Sequence, residues 1–264
     1  MENYFRKIVK VDIEYRQDPT IPPEDREKWI LDRETYLDSI TDYMKVERVI
    51  GDHDGDDETE YYVKWKSLFY DSCTWESATL VSQLNQSAID RYLDLSSKQP
   101  QSNAKESNLA TRSPYKAFRT QPDYIKHGQL RDFQIHGVNF LAHHWCKGNN
   151  VILADEMGLG KTVQTVAFMN WLRHERGQNG PFIVVVPLST MPAWADTFNN
   201  WTPDVNYVVY NGNEAARKII REYELLVNGN PRKIKFNVLL TTYEYILADS
   251  GFLASLKWQF MAVD

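Results

Sequence analysis

The reading of this chain turns on Val151-Ile152-Leu153-Ala154, followed at once by Asp155-Glu156-Met157-Gly158-Leu159-Gly160-Lys161-Thr162. Four apolar residues in a row suit a buried strand, two closely spaced glycines suit a tight turn, and Thr162–Glu175 reads as a helix. A strand that ends in a glycine turn and opens a helix gathers free backbone N–H groups and a helix N-terminus around one point, the arrangement that phosphate groups need. Gly158 and Gly160 permit close backbone approach, Lys161 can reach terminal phosphates, and the Thr162 hydroxyl can ligate Mg²⁺. Asp155 stands where the strict G-x-x-x-x-G-K-[ST] pattern has its first glycine, so the site is read from the strand, turn and helix together.

Outward from this loop, residues from Leu130 alternate between helix and strand. Helices are expected at Asp132–Cys146, Ala193–Trp201 and Ala215–Leu226. Strands are expected at Val151–Ala154, Phe182–Val186, Tyr207–Tyr210, Val238–Thr242 and Phe260–Val263. Short continuous β-branched runs between helices imply an α/β fold with a mostly parallel sheet covered on both faces.

The totals bound what the rest can be. The 264 residues give room for about two domains, and no apolar run approaches the roughly 18 residues of a membrane span. Met1–Lys10 lacks a signal-peptide core, which places the protein inside the cell. Cys73 and Cys146 lie far apart without metal-ligand spacing and read as small buried hydrophobes. The net charge of −6 is unevenly spread: residues 1–100 hold 13 basic and 22 acidic residues, and the remaining 164 hold 17 and 14. An acidic module therefore precedes a weakly basic one.

Within the acidic part, Tyr4, Phe5, Ile8, Val9 and Ile13 suit a short helix. Asp18–Pro23 breaks the chain, and a second helix follows with prolines and acids in its first turn, its apolar residues including Trp29, Ile30, Tyr36, Leu37, Ile40, Tyr43 and Met44. Lys45–Leu95 reads as a small β-barrel closed by a helix at Ser87–Leu95, with Ile89, Tyr92 and Leu93 inward. The loop Gly51–Glu60 holds six acids. Ser96–Asp123 is a polar linker with scattered cations, among them Lys98, Lys105, Arg112, Lys116 and Arg119. Tyr115–Arg119 is the part of it expected to dock.

Two families show in these segments. Val46-Glu47-Arg48-Val49-Ile50, Tyr62-Val63-Lys64-Trp65-Lys66 and Cys73-Thr74-Trp75-Glu76 resemble, in order, the chromodomain, a histone-tail reader. Trp65 falls on one aromatic-cage position of that family, but Met44 and Leu68 occupy the other two, so a structural or protein-contact role is the leading reading of the module. Leu130–Leu141, the loop Asp155–Thr162, Val184–Thr190, Leu240–Glu244 and Ala262-Val263-Asp264 resemble the first-lobe motifs of the Snf2 branch of helicase-superfamily-2 ATPases. Together they resemble the CHD class of chromatin remodellers, with residues 1–21 ending a first chromodomain, 22–44 an acidic connecting helix, 45–95 a second chromodomain, 96–126 a linker and 127–264 part of the first ATPase lobe.

That resemblance implies a nuclear, ATP- and Mg²⁺-dependent DNA translocase that slides or spaces nucleosomes, acting on double-stranded DNA and histones; the oligomeric state is left open, with a monomer expected. Gln134 would read the adenine edge. Asp155, Glu156, Gly158, Leu159, Gly160, Lys161 and Thr162 would hold phosphates, with Lys161 and Asp264 catalytic and Thr162 and Asp264 on the metal. Pro187, Leu188, Ser189, Thr190, Thr241 and Thr242 would face the DNA backbone, and Trp65 would touch a histone tail. In the family a glutamate follows the position of Asp264 and a second lobe supplies arginines, so these 264 residues are expected to bind nucleotide with almost no turnover. The acids of Glu24–Asp42 and Asp52–Glu60 are expected to shield the DNA-facing surface of the lobe. A chromatin-reading module with a merely structural nucleotide site is the competing reading.

Overall fold

The computed structural model describes residues 19–98, 101, 102, 112 and 115–264. The helix expected in residues 1–17, Asn3–Lys10 included, lies outside them, as does Lys105. The chain divides into two compact units: the described residues up to Leu68 with Ser72–Ile89, and Phe69–Asp71 with Asp90–Asp264.

The first unit opens with helix α1 (Pro23–Tyr43), whose prolines and acids at the start match a helix entry. Among the helix residues whose side chains are described none is buried, and Leu31 is mostly exposed. Its last turn is tied to the sheet by Asp42, which accepts from Lys45 at 2.8 Å and Lys66 at 3.3 Å. Strands β1 (Val46–Asp54), β2 (Thr59–Trp65) and β3 (Thr74–Ser77) pair antiparallel in that order. Register shifts near Val46 and Val49 bend the long first strand. Val46, Val49, Ile50 and Val63 are buried and share the core with Val81 and Ile89 of helix α2 (Ala78–Ser97), whose last turns belong to the second unit. The helix expected at Ser87–Leu95 is the second half of α2. The break is at Asn85, which leaves helical geometry, donates to the Val46 carbonyl and accepts from the Ala88 amide. Ile89 is buried as expected, whereas Leu93 points outward and is half exposed.

The second unit is built on a four-stranded parallel sheet of order β10-β5-β9-β6, comprising β5 (Phe182–Val185), β6 (Tyr207–Tyr210), β9 (Val238–Thr241) and β10 (Phe260–Val263). Phe182, Val184, Val238 and Leu240 face one layer, with α3 (Asp132–Lys147), α4 (Lys161–Arg176) and α5 (Met191–Trp201) supplying Val138, Phe168 and Phe198. Ile183 and Leu239 alternate to the opposite face and are equally buried, so both faces are covered, as a parallel sheet requires. The helix expected at Ala215–Leu226 is α-helical only over Glu214–Ile219 (α6) and continues as a π-helical segment, Ile220–Leu225.

A second small sheet, β4 (Gln101–Ser102), β8 (Asn230–Ile234) and β7 (Leu226–Val227), was not foreseen. Asn228 and Gly229 turn its hairpin with φ of 51° and 69°. Both positive values mark the hairpin turn that Asn-Gly favours. Short helices α7 (Tyr243–Ala248) and α8 (Ser250–Ala254) lead into β10.

The chain ahead of α3 is laid along that helix by side-chain amides. Asn139 accepts from the Phe118 amide and donates to its carbonyl, while Gln121 donates to the carbonyls of Ile125 and Gly128 and accepts from the Leu130 amide.

One expectation fails at the centre. Val151–Ala154 is irregular, not a strand, and Ile152 is 86% exposed. A strand exists only with a hydrogen-bonding neighbour. Val151, Ile152 and Leu153 line a cavity of about 750 Å³ together with Phe260 to Asp264.

Candidate nucleotide site

The phosphate loop is held by its own glycines. Gly158 and Gly160 take φ of 84° and 77°, in the left-handed region closed to most side chains, and Gly160 caps α4. Nothing lies within 4 Å of a Cβ built on Gly158, so its backbone stands open to a ligand. A Cβ on Gly160 would come within 2.5 Å of Gln134 Nε2.

Lys161, the first residue of α4, folds back across the loop. Its ammonium donates to the carbonyls of Asp155 at 2.8 Å and Glu156 at 3.1 Å. Those carbonyls are weak substitutes for phosphate oxygens, so an anion in the loop would compete for the same cation. Thr162, the next residue, is half-buried, and both Lys161 and Thr162 line the cavity beside Val151–Leu153. Asp264, following β10, lines the same cavity. Its carboxylate accepts from the Trp194 indole N–H at 2.9 Å, and its carbonyl from the Tyr243 hydroxyl.

Gln134 sits at the start of α3 and reaches the loop. Its Oε1 accepts from the Arg131 amide at 2.9 Å, capping the helix, and its Nε2 donates to the Leu159 carbonyl at 3.3 Å. The side chain thus spans helix and loop, with the adenine-reading atoms the resemblance implies engaged internally.

The residues expected on the DNA backbone divide. Pro187, Leu188 and Ser189 are exposed between β5 and α5, and Thr190 turns its hydroxyl to the Pro187 carbonyl at 3.1 Å. Thr241 and Thr242, also expected to face the DNA backbone, are buried. Thr241 donates to the Tyr210 carbonyl at 2.9 Å and Thr242 to Glu244. Thr241 ends a central strand flanked by β5 and β6, and its hydroxyl is spent on the main chain of β6.

Trp65 is partly buried and spends its indole N–H on Thr74 Oγ1 at 2.9 Å. Tyr70, one of the rings near the family's cage positions, is buried in the second unit, where its hydroxyl donates to Glu224 at 2.8 Å. In the first unit, Trp75 is more exposed than a core residue and stacks on Tyr62 with ring centres 4.8 Å apart.

Two residues at the site escaped sequence reasoning: Trp194, which fixes Asp264, and Gln164, one turn into α4. Gln164 is fully buried and donates to Asp155 Oδ2 at 3.0 Å. It lies one turn from Lys161, a spacing that does not point to Asp155.

Residues 133–264 match the SNF2-related domain, and residues 44–95 match the chromo (chromatin organisation modifier) domain. Chromodomain-helicase-DNA-binding protein 1 of Gallus gallus is 42% identical over 248 residues, covering 92% of this chain and 14% of that protein. Protein CHROMATIN REMODELING 5 of Arabidopsis thaliana is 39% identical over 270 residues, covering 99% of this chain and 15% of that protein. Among solved structures, the Sulfolobus solfataricus SWI2/SNF2 ATPase core in complex with dsDNA aligns with a TM-score of 0.46 at 27% identity, over 56% of this chain and 28% of that one. The chain spans about one seventh of the length of the curated relatives it matches. With a chromo domain ahead of an SNF2-related domain that fills half its length, the chain belongs to the SNF2-related family, in its chromodomain-bearing CHD class.

Proposed function

We propose that this chain is the nucleotide-binding part of a nuclear, DNA-dependent ATPase that moves nucleosomes along double-stranded DNA. The observation that carries the reading is the convergence of Lys161, Thr162 and Asp264 on one cavity beside a loop whose backbone stands open at Gly158. A cation, a hydroxyl and a carboxylate are the donor set for a metal-bound polyphosphate, so the residues fit ATP with Mg²⁺. Thr162 and Asp264 would hold the metal. Bound Mg²⁺ supplies charge neutralisation to the phosphate oxygens. Lys161 leaves the carbonyls of Asp155 and Glu156 to take the terminal phosphates, the amides around Gly158 and Gly160 grip the remainder, and the start of α4 adds its positive dipole end. The exposed turn Pro187–Thr190 would meet the DNA backbone through small side chains and amides, without reading bases.

Titration of the 264-residue chain with a fluorescent ATP analogue and Mg²⁺ tests the reading. Saturable binding that Lys161→Ala weakens at least ~ten-fold is expected. No binding, or equal binding by the variant, would overturn it.

A further inference from the structure

From the packing between α3 and α4, we infer that Gln164 is the positioning residue of the phosphate loop, holding Asp155 in place so that the loop keeps its shape. The inference rests on the nucleotide-site reading and adds to it a residue that touches neither phosphate nor metal.

Asp155 replaces the first glycine of the usual phosphate-loop pattern, so a carboxylate enters the loop beside a site meant for anions. A negative charge free to move beside the phosphates would raise the electrostatic cost of binding them. Instead Gln164 Nε2 donates to Asp155 Oδ2 at 3.0 Å and draws the acid toward the body of the unit. The amide orientation is fixed by chemistry, since the reverse would set two acceptor oxygens against each other. With Asp155 tethered, its carbonyl faces Lys161 Nζ at 2.8 Å, so one side chain fixes both the acid and the waiting position of the lysine.

Gln164 is itself held from behind. Its Oε1 is buried, without a hydrogen-bond partner, and lies 1.6 Å from where a Cβ on Gly137 would stand. The amide therefore fills the space that any other residue at position 137 would occupy. One turn earlier on α3, Gln134 contacts the far end of the loop at the Leu159 carbonyl. Gln134 and Gly137 share a helix face, and through them α3 meets the loop at both ends: directly at Leu159, and through Gln164 at Asp155. A conventional loop with glycine at the first position has no acid to restrain and no use for such an amide.

An exchange of charge and amide tests this. In Gln164→Glu, two carboxylates face each other and the tether is lost. In Asp155→Asn, the new amide oxygen can still accept from Gln164. In the double variant, the amide introduced at position 155 donates to the carboxylate introduced at position 164, and the pair is rebuilt with its polarity reversed. Affinity for the fluorescent ATP analogue with Mg²⁺ is expected to fall at least ~ten-fold in Gln164→Glu, about two- to three-fold in Asp155→Asn, and to recover in the double variant to within about three-fold of Asp155→Asn. Gln164→Met, close in shape and uncharged, covers the case in which the buried glutamate prevents folding. It should lose about ten-fold in affinity with an unfolding midpoint near that of the parent chain. Parent-like affinity in Gln164→Glu or Gln164→Met, or a double variant no better than Gln164→Glu, would overturn the inference. Failure of the parent chain to bind nucleotide would instead overturn the reading beneath it.

Discussion

Gly137 and Gln164 share one volume: a Cβ on the glycine would sit 1.6 Å from the glutamine Oε1. Gly137→Ala must therefore displace a fully buried side chain inside the α3–α4 interface, a case of overpacking that costs about 1–3 kcal/mol. Thermal unfolding of the variant is expected to show that loss, whereas Gly251→Ala, in α8 with nothing within 4 Å of its Cβ, should instead gain up to about 1 kcal/mol from the alanine's higher helix propensity.

The two loop glycines differ in what an alanine would meet, although both hold positive φ. Gly158→Ala suffers backbone strain alone, about 1–2 kcal/mol. Gly160→Ala adds a clash with Gln134 Nε2 at 2.5 Å, breaking the side-chain bridge between α3 and Leu159. Denaturant titration should rank Gly160→Ala as the more destabilising, and equal midpoints would show that Gln134 yields freely.

What a sequence shows of this fold follows from how local each signal is. The runs Phe182–Val185, Tyr207–Tyr210, Val238–Thr241 and Phe260–Val263 read as strands because a buried parallel strand is apolar at nearly every position. Val151–Ala154 carries the same signal and is not a strand, because composition reports burial preference and says nothing about a pairing neighbour. The hairpin at Leu226–Ile234 was hidden by its polar, largely exposed second strand, although Asn228-Gly229 announces the turn. At the site, Gly158, Gly160 and Lys161 are contiguous or nearly so, and legible. Gln164 matters only through Gly137 and Asp155, on a different helix and in the loop, and no spacing rule joins them. The hydroxyls of Thr241 and Thr242 bond to Tyr210 and Glu244, partners that no spacing in the sequence announces.

The burial of Thr241 separates two roles that sequence assigned together. Thr241→Val removes a buried hydrogen bond to the Tyr210 carbonyl and is expected to cost about 1 kcal/mol of stability without altering affinity for a DNA duplex. Ser189→Glu, on the exposed turn, places a negative charge where the phosphate backbone would lie. It should weaken duplex binding several-fold and flatten its dependence on salt, with stability unchanged. Fluorescence anisotropy with a labelled duplex distinguishes the two variants, and loss of DNA affinity in Thr241→Val would return that residue to the interface.

Asp249 gathers donors from α6, the π-helical segment and β6. It accepts from Arg217 Nε at 2.5 Å, Arg221 Nη1 at 3.2 Å and the Tyr210 hydroxyl at 2.9 Å. Burial alone would raise its pKa, but the hydrogen bonds from Arg217 and Tyr210 and the charges of Arg217 and Arg221 outweigh this and hold it below the ordinary carboxylate value of 3.8. A carboxylate with a depressed folded-state pKa contributes stability that is present above its unfolded pKa and is lost as pH falls through the folded one. The contribution should be complete at neutral pH and fade only below about pH 4. Asp249→Asn leaves two partly buried guanidinium groups without their anion and is expected to cost about 2–4 kcal/mol at neutral pH, toward the lower side of a broken buried pair because Arg221 keeps some access to water. Measured against pH, the stability difference between parent and variant should stay flat from about pH 8 to pH 5 and narrow below about pH 4. A difference that widened on acidification would mean that the carboxylate is stabilised in its protonated form, and the arginine pairing would then not be what holds these elements together.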